Sequence, residues 1–128
     1  MKFMLMMNVP RGTGDYQISN WKPEEIQAHM AFMHALNKDL MDAGEFVAGE
    51  GLTPPSQARI VRVGNGGAPA VTDGPFPETK EFLAGFWIID VENEARAFEI
   101  AARVSSAPGP GGTPLVIPVE VRQVMSVL

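Results

Sequence analysis

The stretch that decides the fold is Leu83-Ala84-Gly85-Phe86-Trp87-Ile88-Ile89-Asp90-Val91. Its aromatic and β-branched side chains occupy both faces of an extended chain, which is typical of a strand in the centre of a sheet. The segment from Phe3 to Met7 is apolar in the same uninterrupted way and predicts a second central strand. Two such strands need cover on both of their faces.

Two helices are predicted around these strands. The first begins at Pro23, where a proline and two acidic residues suit a first turn, and ends at Gly44, which acts as a left-handed cap. The second follows the N-cap Asn93 and places Phe98 on one face with alanines. On a helical wheel, the apolar stripe of the first helix is formed by Ile26, Met30, Met33, Asn37, Leu40 and Met41.

The remaining segments complete the order of elements. Residues 58–63 and 70–72 flank Asn65-Gly66-Gly67, whose glycines supply the positive φ angles that a β-hairpin needs. Short strands are predicted within 45–51 and 116–125. The order strand, helix, strand, hairpin, strand, helix, strand predicts an α+β fold, a ferredoxin-like split β-α-β plan with an inserted β-hairpin, in a single domain spanning 1–128.

The two central strands also predict how the chain assembles. Two helices cover one face of the sheet, and the opposite face, also apolar, needs another partner. A second copy of the chain is the economical partner, so we expect a homodimer with its sheets packed face to face, a dimeric α+β barrel.

Composition argues against several classes of function. The 128 residues include 10 basic and 15 acidic side chains with no basic cluster, so we expect no nucleic acid partner. The apolar run near Met1 is too short for a signal peptide or a membrane span, so we expect no membrane partner. Without a recognisable signal peptide or membrane span, we expect a cytoplasmic protein. The absence of cysteine excludes disulfides and thiol nucleophiles.

Three polar residues of the first helix are candidates for a site. His29 and His34 flank the predicted stripe, and their separation of five residues points them too far apart to share a metal ion. Asn37 lies within the stripe, where an unpaired amide is costly. Two hypotheses for Asn37 stay open: an amide bonded to nearby backbone, and a pocket-lining side chain beside His34. We predict no metal site, because the two histidines cannot share an ion. We also predict no cofactor, because no phosphate-binding or dinucleotide motif is present.

A second group of candidates lies in residues 73–81, DGPFPETKE, between the hairpin and the strongest strand. Asp-Gly-Pro is turn chemistry, which favours a structural role. Charges in a loop that enters a central strand also suit the rim of a ligand site. The candidate residues here are Asp73, Phe76, Lys80 and Glu81.

The string 73–81 resembles the signature of the DGPF subgroup of the YCII-related family, and similar segments lie at 36–40, 83–88 and 119–122. The resemblance implies a dimeric α+β barrel. Some relatives are enzymes that act on small aromatic or lactone-like compounds with a helix histidine and an aspartate as the proposed pair. On this chain the histidine maps to His34, which would act as general base, and the aspartate to Asp73.

Three functions follow as hypotheses. The first is a cofactor-free enzyme of lyase or isomerase type that acts on a small, partly apolar molecule bound near Asn37, His29, Phe76, Lys80 and Glu81. The second is a non-catalytic small-molecule-binding or accessory module that uses the same pocket. The third is a protein whose main role is assembly through its sheet faces.

Overall fold

The computed structural model describes residues 1–10, 18–74 and 80–125, and these form an α+β fold. The strands are β1 (Lys2–Pro10), β2 (Phe46–Gly51), β3 (Arg59–Val63), β4 (Pro69–Asp73), β5 (Glu81–Asp90) and β6 (Val119–Gln123). The helices are α1 (Pro23–Asp42) and α2 (Glu94–Ser105).

Four strands form one sheet in the order β2-β5-β1-β6, and every neighbouring pair is antiparallel. Strands β1 and β2 therefore run in the same direction with β5 between them, and α1 connects them. Strands β5 and β6 likewise run in the same direction with β1 between them, and α2 connects them. These two split β-α-β units make the fold ferredoxin-like, as the sequence predicts. Strands β3 and β4 pair in a two-stranded sheet of their own.

The core lies on one face of the main sheet. Along β1 the burial alternates, so that Phe3, Leu5, Met7 and Val9 are buried while Met4 and Met6 are only partly covered. The buried set packs in one cluster with side chains of both helices. The strand is apolar on both faces, as predicted, but the described residues of one chain bury only one of them.

The buried stripe of α1 is rotated from the predicted one. The helix begins at Pro23, and Gly44 has a φ of 72°, both as predicted. Its buried residues, however, are His29, Leu36 and Leu40. Met30 and Met41, which the wheel placed in the stripe, are 43% and 57% exposed. His29 therefore lies within the buried stripe and not beside it.

Helix α2 begins where the sequence predicts, but its buried face differs. The side chain of Asn93 accepts a hydrogen bond from the Arg96 N–H, the expected N-cap contact. The residues that face the sheet are Ala97, Ile100, Ala101 and Val104. Phe98, which the sequence places on one face with alanines, is 51% exposed and lies outside this buried set. Small side chains at 97 and 101 let the helix lie close to the sheet and leave Phe98 on its flank.

A charged pair joins β2 to α2. Glu45 follows the cap of α1, and its carboxylate accepts two hydrogen bonds from the Arg96 guanidinium, from Nε at 2.9 Å and from Nη2 at 2.8 Å. The Glu45 side chain is only 14% exposed, while that of Arg96 is 41% exposed. The hydrogen bonds from Arg96 hold the pKa of Glu45 below its usual value.

Candidate functional site

A cavity of about 880 Å³ lies between α1 and the sheet. This volume is within the range of small-molecule sites. Its helix wall is formed by Met30, Met33, His34 and Asn37, and its sheet wall includes Met7, Val9, Phe82 and Trp87. Residues 52 and 54–56, which follow β2, also line it. The walls are mainly apolar, and methionine side chains adapt readily to different ligand shapes.

Asn37 is hydrogen-bonded at the wall of this cavity. The Trp87 indole Nε1–H donates to Asn37 Oδ1 at 2.9 Å, and both residues line the cavity. Only the oxygen of the Asn37 amide is hydrogen-bonded among the described residues, and the side chain also lines the cavity. Its partner is a side chain of β5 and not the nearby backbone.

Gly49 leaves room for the indole of Trp87. Gly49 lies opposite Trp87 in the pairing of β2 with β5. A Cβ atom at position 49 would lie 3.0 Å from Trp87 Cδ1, 3.3 Å from Trp87 Nε1 and 3.1 Å from Phe46 Cε2. These distances are tighter than ordinary van der Waals contact. The glycine thus allows the backbone of β2 to approach the indole that holds Asn37.

His34 is the exposed histidine of the cavity wall. It lies three residues before Asn37 on α1, so the two side chains are neighbours on the helix surface. Both line the cavity. The structure therefore brings together two of the residues singled out from the sequence, an imidazole and an amide, against an apolar floor.

His29 also lines the cavity, but it is almost fully buried, with 3% of its surface exposed. Its Nδ1 lies 2.9 Å from the carbonyl oxygen of Pro108. Because a carbonyl only accepts, Nδ1 carries the proton and donates. The ring also meets Trp21 edge-on, with centroids 5.3 Å apart. His29 thus joins α1 to the segment that contains Pro108.

The loop of residues 108–114, which contains three prolines and three glycines, is held against α1 near the same place. Besides the contact of His29 with Pro108, the N–H of Gly111 donates to the carboxylate of Glu25. This hydrogen bond is the main cause that lowers the pKa of Glu25, and a second one from the Lys22 N–H acts in the same direction. These two contacts hold the loop against α1.

The candidates from residues 73–81 lie elsewhere or outside the described residues. Asp73 ends β4 with its side chain 94% exposed, and its carboxylate lies 3.6 Å from Arg59 Nε. Glu81 lines a smaller cavity of about 430 Å³ with Pro54, Pro55 and Phe82. Lys80 is exposed just before β5, and Phe76 lies outside the residues that the structure describes. Asp73 is not among the described residues that line the larger cavity.

The described ranges 1–10, 18–74 and 80–125 have neither a metal-binding cluster nor a membrane-spanning helix. They contain no group of three or more His, Asp or Glu side chains arranged to hold a metal ion. Within the same ranges, neither helix has the length and apolar character needed to cross a membrane.

Two residues of the site were not predicted from the sequence as site residues, Trp87 and Gly49. Trp87 was interpreted only as part of a central strand, and Gly49 only as part of a short one. A signal for Trp87 exists in the sequence, because a tryptophan in a buried strand needs an acceptor for its N–H and Asn37 needs a partner. The position of Gly49 beside the indole depends on strand register.

Comparison with known proteins shows similarity to a protein family and to a bacterial relative. A family model described as the YCII-related domain matches residues 1–112. An uncharacterised protein of Rhizobium meliloti (strain 1021) is 35% identical over 89 residues, which cover 70% of this chain and 71% of that protein.

Proposed function

The chain belongs to the YCII-related domain family, and we propose that it binds a small, partly apolar molecule in the cavity between α1 and the sheet and acts on it as a cofactor-free lyase or isomerase. The observation that carries the proposal is the juxtaposition of His34 and Asn37 on one wall of a mainly apolar cavity. Ligand pockets commonly combine apolar walls with a few polar groups that orient the ligand.

In this proposal His34 transfers a proton to or from the bound molecule. An imidazole changes its protonation state near neutral pH and is the commonest general acid or base in enzymes. Asn37 and the methionines of α1 hold the molecule against β5. The pairing of His34 with Asp73 stays a prediction, since Asp73 is exposed near Arg59 and is not among the described cavity residues.

A non-catalytic binding module is the second candidate. No described residue forms a hydrogen bond with the His34 imidazole, whereas catalytic histidines are commonly oriented by a third group. The same cavity would then hold a ligand without changing it. The two candidates differ in chemistry and not in binding.

A ligand screen followed by isotope exchange separates these candidates. We expect at least one of a panel of small cyclic ketones, lactones and aromatic acids to raise the melting temperature of the protein. With a ketone that binds, we expect the wild type to speed exchange of the α-protons in D₂O, followed by NMR, and His34→Gln to lose about tenfold of that rate while binding changes little.

Further variants show whether a loss of exchange is specific to His34. Lys38→Ala changes an exposed residue of the same helix that forms an ion pair with Asp42, and we expect wild-type binding and exchange. Asp73→Asn tests the predicted partner in the same assay. Binding without any exchange in the wild type would favour the non-catalytic module, and a panel with no stabilising molecule would contradict both candidates.

The homodimer is also a proposal, supported by the second face of the main sheet. On that face Met4 lies opposite Ile88 and Met6 opposite Phe86, and all four are only partly covered in the described chain. We propose that a second copy covers this surface in a cytoplasmic dimeric α+β barrel, with β3 and β4 as the inserted hairpin.

The string 73–81 supports placement of the chain in the DGPF subgroup of the family.

A single charge on that surface tests the dimer. We expect Met6→Glu to weaken self-association about tenfold, because burying an unpaired carboxylate in an apolar interface is unfavourable. Analytical ultracentrifugation over a range of concentrations measures the dissociation constant. Val61→Glu, on the exposed surface of β3, is the control and should leave it unchanged. A monomeric wild type at high concentration would contradict the proposal.

A further inference from the structure

We infer that Asn37 selects ligands that present a hydrogen-bond acceptor to the cavity, so that the ligand class is an apolar ring compound bearing a carbonyl or a similar acceptor oxygen. The inference rests on the proposed function, because it concerns the same cavity. The inference assigns the choice of ligand to one group, the Nδ2 amino group of Asn37. The hydrogen bond from Trp87 explains how that group is oriented.

The first step is that Trp87 fixes which end of the Asn37 amide faces it. An indole N–H is a donor and has no acceptor, so only the amide oxygen can face Trp87 Nε1 across the observed 2.9 Å. A reversed amide would place two donors against each other. The orientation therefore follows from the chemistry of the pair.

The second step concerns the other end of the amide. With Oδ1 turned to Trp87, Nδ2 points away from the indole. No residue in the described part of the chain accepts a hydrogen bond from Nδ2, and no buried side-chain nitrogen or oxygen there lacks a partner. Nδ2 is therefore not sealed in the core. Since Asn37 lines the cavity, Nδ2 is open to a ligand there.

The third step is the surroundings of that donor. Met33 lies one turn before Asn37 on the helix wall, and Met7 and Trp87 lie on the sheet wall. These side chains favour an apolar ring over a chain of hydroxyl groups. The ligand that fits both features is a ring with an acceptor at one edge.

Selection follows from the cost of a mismatched polar contact. A ligand acceptor gains a hydrogen bond from Nδ2, whereas a ligand donor at the same place meets another donor and both lose their water. One hydrogen bond of ordinary strength corresponds to a factor of about ten in affinity.

Three bicyclic probes of similar size test the inference: 1-indanone, which offers a carbonyl acceptor, indole, which offers an N–H donor, and indane, which offers neither. Binding is measured by NMR titration of the ¹⁵N-labelled protein at the indole N–H resonance of Trp87. This resonance is assigned with Trp21→Phe, because the chain has two tryptophans. We expect the wild type to bind 1-indanone about tenfold more tightly than indole, with indane between them.

Asn37→Asp is the decisive variant. An aspartate still accepts the hydrogen bond from Trp87 with one oxygen, but its second oxygen replaces the donor with an acceptor. We expect this variant to reverse the order and prefer indole, while its unfolding midpoint stays close to that of the wild type. Asn37→Leu, which removes both groups, should abolish the preference.

The outcomes separate the inference from the proposed function. If the wild type binds indole as tightly as 1-indanone, or if Asn37→Asp keeps the order of the wild type, the inference is wrong and the cavity remains a ligand site. If none of the three probes binds to the wild type at millimolar concentration, the proposed function fails together with the inference.

Discussion

Replacing Gly49 with valine is expected to lower the free energy of unfolding by about 3 kcal/mol and to abolish ligand binding in the cavity. A Cβ atom at this position would already crowd both Trp87 and the Phe46 ring. The branched side chain of valine extends further, so the indole must move. Movement of the indole breaks its hydrogen bond to Asn37, which leaves a buried donor without its partner.

Gly51→Ala is the matched control for this change. Gly51 is two residues further along β2, also lines the cavity, and has nothing within 4 Å of the position of an added Cβ. We expect this variant to unfold within about 0.5 kcal/mol of the wild type. Urea unfolding gives the free energies, and the Trp87 indole N–H resonance reports the hydrogen bond. A Gly49→Val protein with wild-type stability and an unmoved resonance would show that the indole is not confined by β2.

The elements of the fold follow from local patterns in the sequence. The caps at Asn93 and Gly44 and the apolar strand near Trp87 each depend on a few neighbouring residues, and the structure has these features where they were predicted. The ferredoxin-like plan follows from the order in which the two helices and the strands alternate along the chain. Such features need no knowledge of which distant segments touch.

The arrangement of the site depends on contacts between distant segments. The rotation of the buried stripe of α1 shows why: His29 is buried because Pro108, far along the chain, supplies an acceptor for its N–H. A helical wheel places each residue by its angle around the helix, and the apolar residues define the stripe. His29 falls at the edge of that stripe. The burial of this imidazole is decided by a partner that the wheel does not contain.

Asn37 illustrates the same limit for function. The sequence shows an amide on an apolar face and indicates that it needs a partner, but it does not identify the partner. The partner is Trp87, 50 residues away, and the contact requires the register that sets Gly49 beside the indole. The candidates in 73–81 were chosen from their charge and resemblance, and the described cavity is instead lined from α1 and the sheet.

Replacing Arg96 with methionine is expected to lower the free energy of unfolding at pH 7 by about 2 kcal/mol. The change removes two charge-assisted hydrogen bonds and leaves the mostly buried Glu45 carboxylate without them. The loss is smaller than for a fully buried pair, because solvent reaches part of Arg96. Glu99→Gln is the matched control: it removes the other, exposed partner of Arg96 and should cost less than about 0.5 kcal/mol.

The difference between Arg96→Met and the wild type should also depend on pH in a definite direction. Arg96 lowers the pKa of Glu45 in the folded state, so the stabilisation is complete above the ordinary value of 4.5 and is lost as the pH falls through the lowered pKa. Arg96→Met lacks this stabilisation at every pH. The two unfolding free energies should therefore converge as the pH is lowered from 7 to about 3, in urea titrations at fixed ionic strength. A gap that stays constant over this range would mean that Arg96 stabilises the junction of β2 and α2 by packing alone and not through the Glu45 carboxylate.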